Sequence, residues 1–466
     1  MKRLTGIDAG FLYMETPTMH LHVGGFGIFE PPEEGPPPTY EQVVEMAEQR
    51  VHLGPVFRQR LMPVPFGLHH PVLVDDPHFD IRYHVRRLAL PAPGGARELA
   101  EVVSDVYSRP LDRSKPLWEL YFVEGLEGGR FASVTKSHHA IVDGISGVDL
   151  AMLFLDLEPR PSVPEEIPEF EPERIPSEWE LLGYGLMSRL RTPVGAIKAT
   201  RSLVRAGLEV VRQQRQPKQP DLSPPPLPFA APRTSLNCAI SPRRAISFAT
   251  VPLNDLKQVK SAFGCTVNDV VMAVCAGALR RYFDDLGEEV DRPLVAMMPV
   301  SVRTDDESGA LGNRVTGMST SLATDIDDPV ERLKAIHASN AGAKESIGAV
   351  GPEMLNEVAD LMIPNLMTQA ARLISRTRIA DRVRPAFNFT VSNVPGPQFP
   401  LYSVGGRMTT MCPLGPVAES SALNITVASY DGEMTFGFQA CADAVDDVWR
   451  FENATHDALA ELLKRT

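Results

Sequence analysis

The chain has 466 residues, 43% of them hydrophobic, with a formal net charge of -13 and an isoelectric point near 5.4; this length can bury large cores in about two to three domains, and the acidic balance argues against nucleic acid as a partner. Five cysteines, Cys238, Cys265, Cys275, Cys412 and Cys441, are odd in number and scattered, which excludes a disulfide framework and points to free thiols in a reducing compartment.

The opening residues Met1 to Gly6 lack the apolar core of a signal peptide, and no uncharged apolar run approaches the roughly 18–20 residues of a membrane span, so a soluble or peripheral protein is expected. Pro116-Leu117-Trp118 reads as the start of a strand that buries an indole. A β-prone run, Arg130 to Thr135, leads into Ser137-His138-His139-Ala140-Ile141-Val142-Asp143-Gly144, and the apolar spacing from Ile145 to Leu157 is helical. His138 to Gly144 is therefore a strand-to-helix loop.

That loop carries the chemistry. An imidazole near neutrality can take the proton of an alcohol attacking a carbonyl. Successive side chains of an extended backbone point to opposite sides, so one of His138 and His139 faces a substrate and the other packs. Asp143 either orients a ring nitrogen or pairs with an arginine to shape the loop, and Gly144 permits a tight turn or close backbone approach. The competing reading is a purely structural histidine pair. A metal would need a third ligand, and His20, His22, His52, His69, His70, His78 and His84 stand in no C-x₂-C or H-E-x-x-H context, so no metal site is expected.

From Pro159 the chain turns acidic and proline-rich, and Pro217 to Pro232 is a second such stretch. The segment between, Leu181 to Gln216, reads as a helix with Arg189, Arg191, Lys198, Arg201, Arg205, Arg212 and Arg215 against the single acid Glu209. It is either a membrane-surface element or a crossover helix with solvated arginines, as is the basic run Arg372 to Arg384. The second half offers strands at Ala245–Ala249, Leu294–Val302 and Phe387–Val394 and helices at Val270–Phe283 and Val448–Leu463. Thr266 and Asp269 form a capping pair ahead of the first helix, leaving Asn268 for polar work. In the Phe387–Asn393 run, Asn388, Thr390 and Ser392 share one face, which lines a channel or meets solvent. The division is 1–158, a linker at 159–233, and 234–466: mixed sheets with helices, twice over.

The His138–Gly147 motif resembles that of the bacterial wax ester synthase/diacylglycerol acyltransferase family, within the CoA-dependent acyltransferase and condensation-domain superfamily. Gly6 to Leu12, Met19 to Gly24, Lys115 to Glu119, Val267 to Val271, and Thr390-Val391-Ser392-Asn393-Val394-Pro395-Gly396-Pro397 match its further blocks in order. The resemblance implies an α/β fold of two similar lobes with the histidine loop at their interface, reached by donor and acceptor from opposite faces. It implies direct transfer of a long-chain acyl group from acyl-CoA to diacylglycerol or a long-chain alcohol, without a covalent acyl-enzyme and with no cofactor. His139 becomes the general base, and Asp143 a structural carboxylate paired with an arginine, for which Arg303 is the candidate. Asn268, Asn388, Thr390, Ser392 and Asn393 are channel candidates. The expected location is cytoplasmic, against the inner membrane face or lipid droplets through the basic helix. The alternatives are a condensation-type or polyketide-lipid esterifying acyltransferase, a thioesterase-like hydrolase, and an idle lipid-binding or droplet protein of the same fold.

Overall fold

The computed structural model describes residues 2–142, 153–160, 170–187, 223, 226, 229–301, 315–347 and 364–466. In the first half, β1 (Lys2–Arg3) precedes α1 (Gly6–Met14), whose N-terminal Asp8 amide is capped by the Thr5 hydroxyl. β2 (His22–Phe29), α2 (Tyr40–Arg50), β3 (Gln59–Met62) and β4 (Val72–Asp75) follow. Then come β5 (Val85–Ala89), α3 (Ala96–Ser108), β6 (Trp118–Glu124), β7 (Phe131–His138) and a helix over 178–187, α4. As expected, Trp118 opens a strand and is buried, its indole N–H donating to the Phe57 carbonyl.

The second half runs β8 (Arg244–Pro252), α5 (Leu253–Phe263), α6 (Val267–Leu286), β9 (Val295–Ser301), β10 (Val315–Ser321), α7 (Pro329–Ile347) and α8 (Pro364–Thr377). β11 (Phe389–Val394), β12 (Tyr402–Ser403), β13 (Gly406–Leu414), β14 (Leu423–Tyr430), β15 (Glu433–Cys441) and α9 (Arg450–Leu463) complete it. Thr266 and Asp269 make the expected capping box at α6. That helix is the axis of the second core, buried continuously from Asp269 to Leu279.

Two six-stranded mixed sheets organise the lobes, with a small β1-β4-β3 sheet beside them. The first has the order β12-β13-β2-β7-β6-β5, parallel only at β5–β6. The second has the order β10-β9-β11-β14-β15-β8, parallel at β9–β11 and β11–β14. The expected boundary at 233/234 does not separate the lobes cleanly, because β12 and β13 come from the second half of the chain yet extend the first sheet. Small residues permit this. The Cys412 carbonyl lies 2.1 Å from where a Cβ on Gly25 of β2 would stand, and the Pro413 carbonyl 2.0 Å from that of Gly437 on β15. β13 is thus wedged against both sheets.

A second tie joins the lobes. β8 is an edge strand, and two of its backbone amides are met by α3 rather than by water: Arg244 donates to the Ser108 hydroxyl (2.8 Å) and Ile246 to that of Ser104 (3.0 Å). Each hydroxyl donates in turn to the carbonyl one helical turn back, Ser104 and Ala100 respectively. The four-residue helical repeat matches the two-residue strand step, so the edge is covered.

The expected helix from Ile145 does not extend to Leu157. Leu153 and Phe154 form a turn, and Asp156 pairs with Tyr402 through two backbone hydrogen bonds while its carboxylate takes an ion pair from Arg50. These long-range bonds replace the helical ones.

Candidate active site

β7 delivers the two histidines. His138 is its last residue and His139 the first of a single 3₁₀ turn, His139–Ile141. The His138 ring stays inside: its Nδ1 accepts from the Ala140 amide at 3.0 Å, capping the turn, so the ring proton sits on Nε2. That nitrogen faces the Glu15 carboxylate at 3.6 Å. Arg113 grips Glu15 from another side, Nε donating at 2.7 Å. Burial works to raise the Glu15 pKa, but His138 and Arg113 outweigh it and hold the carboxyl below its usual range.

His139 faces the other way, as alternation requires. Its backbone amide donates to the Leu21 carbonyl (3.0 Å), which Leu21 presents from a left-handed conformation at φ 54°. A leucine held there stores strain of order 1–3 kcal/mol. The His139 ring stacks on Phe11 of α1, centroids 3.8 Å apart and planes 20° from parallel, and its Nδ1 has no hydrogen-bond partner among the described residues. Burial first, then the neighbouring His138, drives its pKa down to about 4. The ring therefore stands neutral, with one ring nitrogen free to accept a proton, throughout the physiological range.

Behind the turn lies a buried polar column. His22 sits opposite His138 across the β2/β7 pair, and its ring stacks on His20 at 5.3 Å. His20 Nε2 bonds the Ser108 carbonyl at 3.1 Å. Lys136, fully buried, pairs with Glu119 at 2.7 Å and donates to the Val106 and Arg109 carbonyls. Arg244, also buried, spends its guanidinium on carbonyls, including that of Thr18 at 2.6 Å, and burial pushes its pKa down to about 10. Burial and then Arg244 take His20 to about 4, and burial with Lys136 takes His22 well below its ordinary value. A column lined by cations keeps its histidines neutral.

The other sequence candidates divide. Asn268 and Asn393 come together, the Asn393 amide donating to Asn268 Oδ1 at 3.3 Å, while Asn268 Nδ2 reaches Met298 Sδ at 3.9 Å. Thr390 and Ser392 are half-buried on the opposite face of β11. Asn388 is corrected from channel candidate to structural residue. It is fully buried, its Oδ1 accepting from the Val295 amide and its Nδ2 donating to Pro232 and Asn237, so its amide is consumed in tying down the start of β9. Asp143, Gly144 and Arg303 lie outside the described residues, as does the basic segment 188–216. Sequence reasoning gave no role to Glu15, Arg113, Phe11 or Leu21. Phe11 and Leu21 fall within the blocks Gly6 to Leu12 and Met19 to Gly24 that carry the family resemblance, but their partners, like that of Glu15 in Arg113, are 98 or more residues away, and no local pattern announces Glu15 or Arg113.

A small, half-open apolar cleft of about 60 Å³ flanks the same strands, lined by Gly25, Phe29, Thr135, Phe154, Met408 and Met411 among others. Thr135 is three residues before His138, about 10 Å along β7. Its apolar lining suits a hydrocarbon chain.

Known proteins resemble this chain over its whole length. The wax ester synthase/diacylglycerol acyltransferase catalytic-domain profile matches residues 4–271, and the C-terminal domain profile of the same family matches residues 311–463. A Mycobacterium tuberculosis (strain CDC 1551 / Oshkosh) protein provisionally named a diacylglycerol O-acyltransferase is 37% identical over 466 residues, covering 100% of this chain and 90% of the relative. The solved wax ester synthase/diacylglycerol acyltransferase of Marinobacter aquaeolei VT8 superposes with a TM-score of 0.71 at 30% identity, covering 100% of this chain and 99% of that one. The starter condensation domain of rhizomide synthetase, at 12% identity, 99% and 94% coverage and a TM-score of 0.54, shares the fold.

Proposed function

Because the chain belongs to the wax ester synthase/diacylglycerol acyltransferase family, we propose that it transfers a long-chain acyl group from acyl-CoA to diacylglycerol, forming triacylglycerol and free CoA, with fatty alcohols as companion acceptors that give wax esters. The observation that carries the mechanism is His139, a neutral imidazole fixed by the Leu21 carbonyl and the Phe11 ring at the end of β7.

The acceptor hydroxyl gives its proton to the His139 ring as its oxygen attacks the thioester carbonyl. The tetrahedral adduct collapses by breaking the C–S bond, and the thiolate of CoA takes the proton back from the imidazolium. No bond forms between enzyme and acyl group. His138 keeps the turn in place through the Ala140 amide, with Glu15 holding its Nε2 side. The cleft beside β2 takes the acyl chain. The Asn268–Asn393 pair serves the substrate channel, with Thr390 and Ser392 on the other face of the strand, and Asp143 braces the loop against Arg303. The protein works in the cytoplasm, peripherally on the inner membrane face or on lipid droplets, where its acceptor resides.

The test supplies labelled long-chain acyl-CoA with diacylglycerol, hexadecanol or no acceptor, and separates products by thin-layer chromatography. Label should enter triacylglycerol with diacylglycerol present and vanish in a folded His139→Ala protein. Label in free fatty acid alone would mean a hydrolase, and unchanged acyl-CoA a binding protein; either result would overturn the proposal.

A further inference from the structure

The small β1-β4-β3 sheet carries an unusual outer surface. Its β3–β4 connection projects Phe66, 80% exposed, from a left-handed backbone at φ 59°, a conformation that a bulky side chain rarely adopts. α4 packs on this sheet through Leu181, buried with Val72 and Val74. On the far side of α4 stand Trp179, 81% exposed, and Leu186, seven residues apart and so on one helical face. α8 reaches the same tip, Asn365 donating to the Phe66 carbonyl at 3.1 Å. Its inner face is Pro364, Ala371 and Ser375, and its outer face presents Leu366 and Leu373, 62% and 61% exposed. Soluble proteins seldom gather large apolar side chains in this way.

The charge of α8 narrows the partner. The helix contains no acidic residue, in a protein of net charge -13, and Arg372 and Arg376 are exposed, neither forming an ion pair with a described residue. Apolar stripes flanked by uncompensated cations fit the interface of an anionic bilayer, where aromatic and aliphatic groups enter the acyl boundary and arginines meet phosphate. The location within the fold agrees. α8 lies on α1, the Ser375 and Thr18 hydroxyls bonding at 2.8 Å just past that helix, and α1 also supplies the Phe11 ring that stacks on His139.

We propose that Phe66, the outer face of α4 and the outer face of α8 form one surface that inserts into an anionic phospholipid bilayer, setting the membrane a single helix away from the catalytic turn. This rests on the reading of the protein as an acyltransferase with a lipid acceptor, and it names the surface by which that acceptor is approached.

The experiment is flotation of the full chain with vesicles of phosphatidylcholine, with and without phosphatidylglycerol. Phe66→Ser/Leu366→Ser/Leu373→Ser should weaken partitioning about 100-fold on the anionic vesicles. Arg372→Gln/Arg376→Gln should weaken it about 20-fold there and leave any binding to phosphatidylcholine alone unchanged. Thermal melts establish that both variants are folded. Both should acylate a water-soluble short-chain alcohol at the wild-type rate while losing turnover of diacylglycerol held in vesicles. Wild-type and variant proteins floating alike would overturn the proposal. So would a wild type that fails to float but sediments as a dimer that the triple variant dissociates, since the face would then be a contact between copies. A wild type that floats as described yet acylates nothing would leave the docking surface standing and remove the acyltransferase reading.

Discussion

Moving the protein from pH 7 to pH 5 charges the histidines of the unfolded chain but leaves His20 and His139 neutral in the fold, because both have native pKa values of about 4. A depressed native pKa contributes stability that is present above the unfolded value of about 6.5 and lost as pH falls towards 4. At pH 5 each of the two costs about 2 kcal/mol, and together about 4 kcal/mol, against a total of roughly 5–15 kcal/mol for a folded protein. His22 and His84, both shifted down chiefly by burial, act in the same direction. Glu15 and Asp269, whose carboxyl pKa values lie below normal, remain ionised in this window and offset nothing. Urea unfolding followed by tryptophan fluorescence at pH 7, 6 and 5 should give midpoints that fall steadily, with slopes unchanged. His20→Gln should remove about half of the 4 kcal/mol dependence, since its titration is gone. A midpoint that stays flat from pH 7 to pH 5 would refute the reasoning.

The rate of acyl transfer should show no acid limb assignable to His139 until pH falls below about 5, measured in short assays before acid unfolding sets in; a limb centred near 6.5 would mean a solvated imidazole. Asp269 accepts from Thr266, Asn340 and His337 at once, so Asp269→Ala should cost about 3 kcal/mol in chemical denaturation by stripping the cap and leaving buried donors unmet. Gly437→Ala places a methyl 2.0 Å from the Pro413 carbonyl and should lower the melting temperature by several degrees, an effect of about 2–4 kcal/mol. Ser104→Ala/Ser108→Ala orphans the Ile246 and Arg244 amides and should cost about 2–4 kcal/mol, with hydrogen exchange at the start of β8 accelerated.

What could be read without coordinates was what is local. Thr266 and Asp269 announce a helix start because the capping box closes within four residues, and the β7 strand and its histidines follow from alternation and β-propensity. Even the opposite facing of His138 and His139 is local, arising where the strand β7 gives way to the turn. The failures are long-range. Asn388 sits on the polar face that alternation assigns it, yet Pro232, Asn237 and Val295 consume its amide, and only the fold brings those together. Helical spacing from Ile145 could not foresee that Arg50 and Tyr402 would claim Asp156. Glu15 becomes part of the site by facing His138, far along the chain, while Arg113, 98 residues on, grips it from another side. The family resemblance points to His139 as the base and includes Phe11 and Leu21 in its blocks, but it gives those two no role in holding the histidine.

The strand β13 also bears on how the enzyme can be recombined. Its residues 406–414 lie within the stretch matched by the C-terminal domain profile, yet they pair with β2 alongside the glycines that line the apolar cleft. A chimera joined at the proline-rich connector would therefore import Met408 and Met411, two walls of that cleft, together with the donor's second half. Exchange of acyl-chain preference between relatives should follow the origin of this strand, and a splice that leaves 402–414 with its native β2 should transplant the second lobe without it.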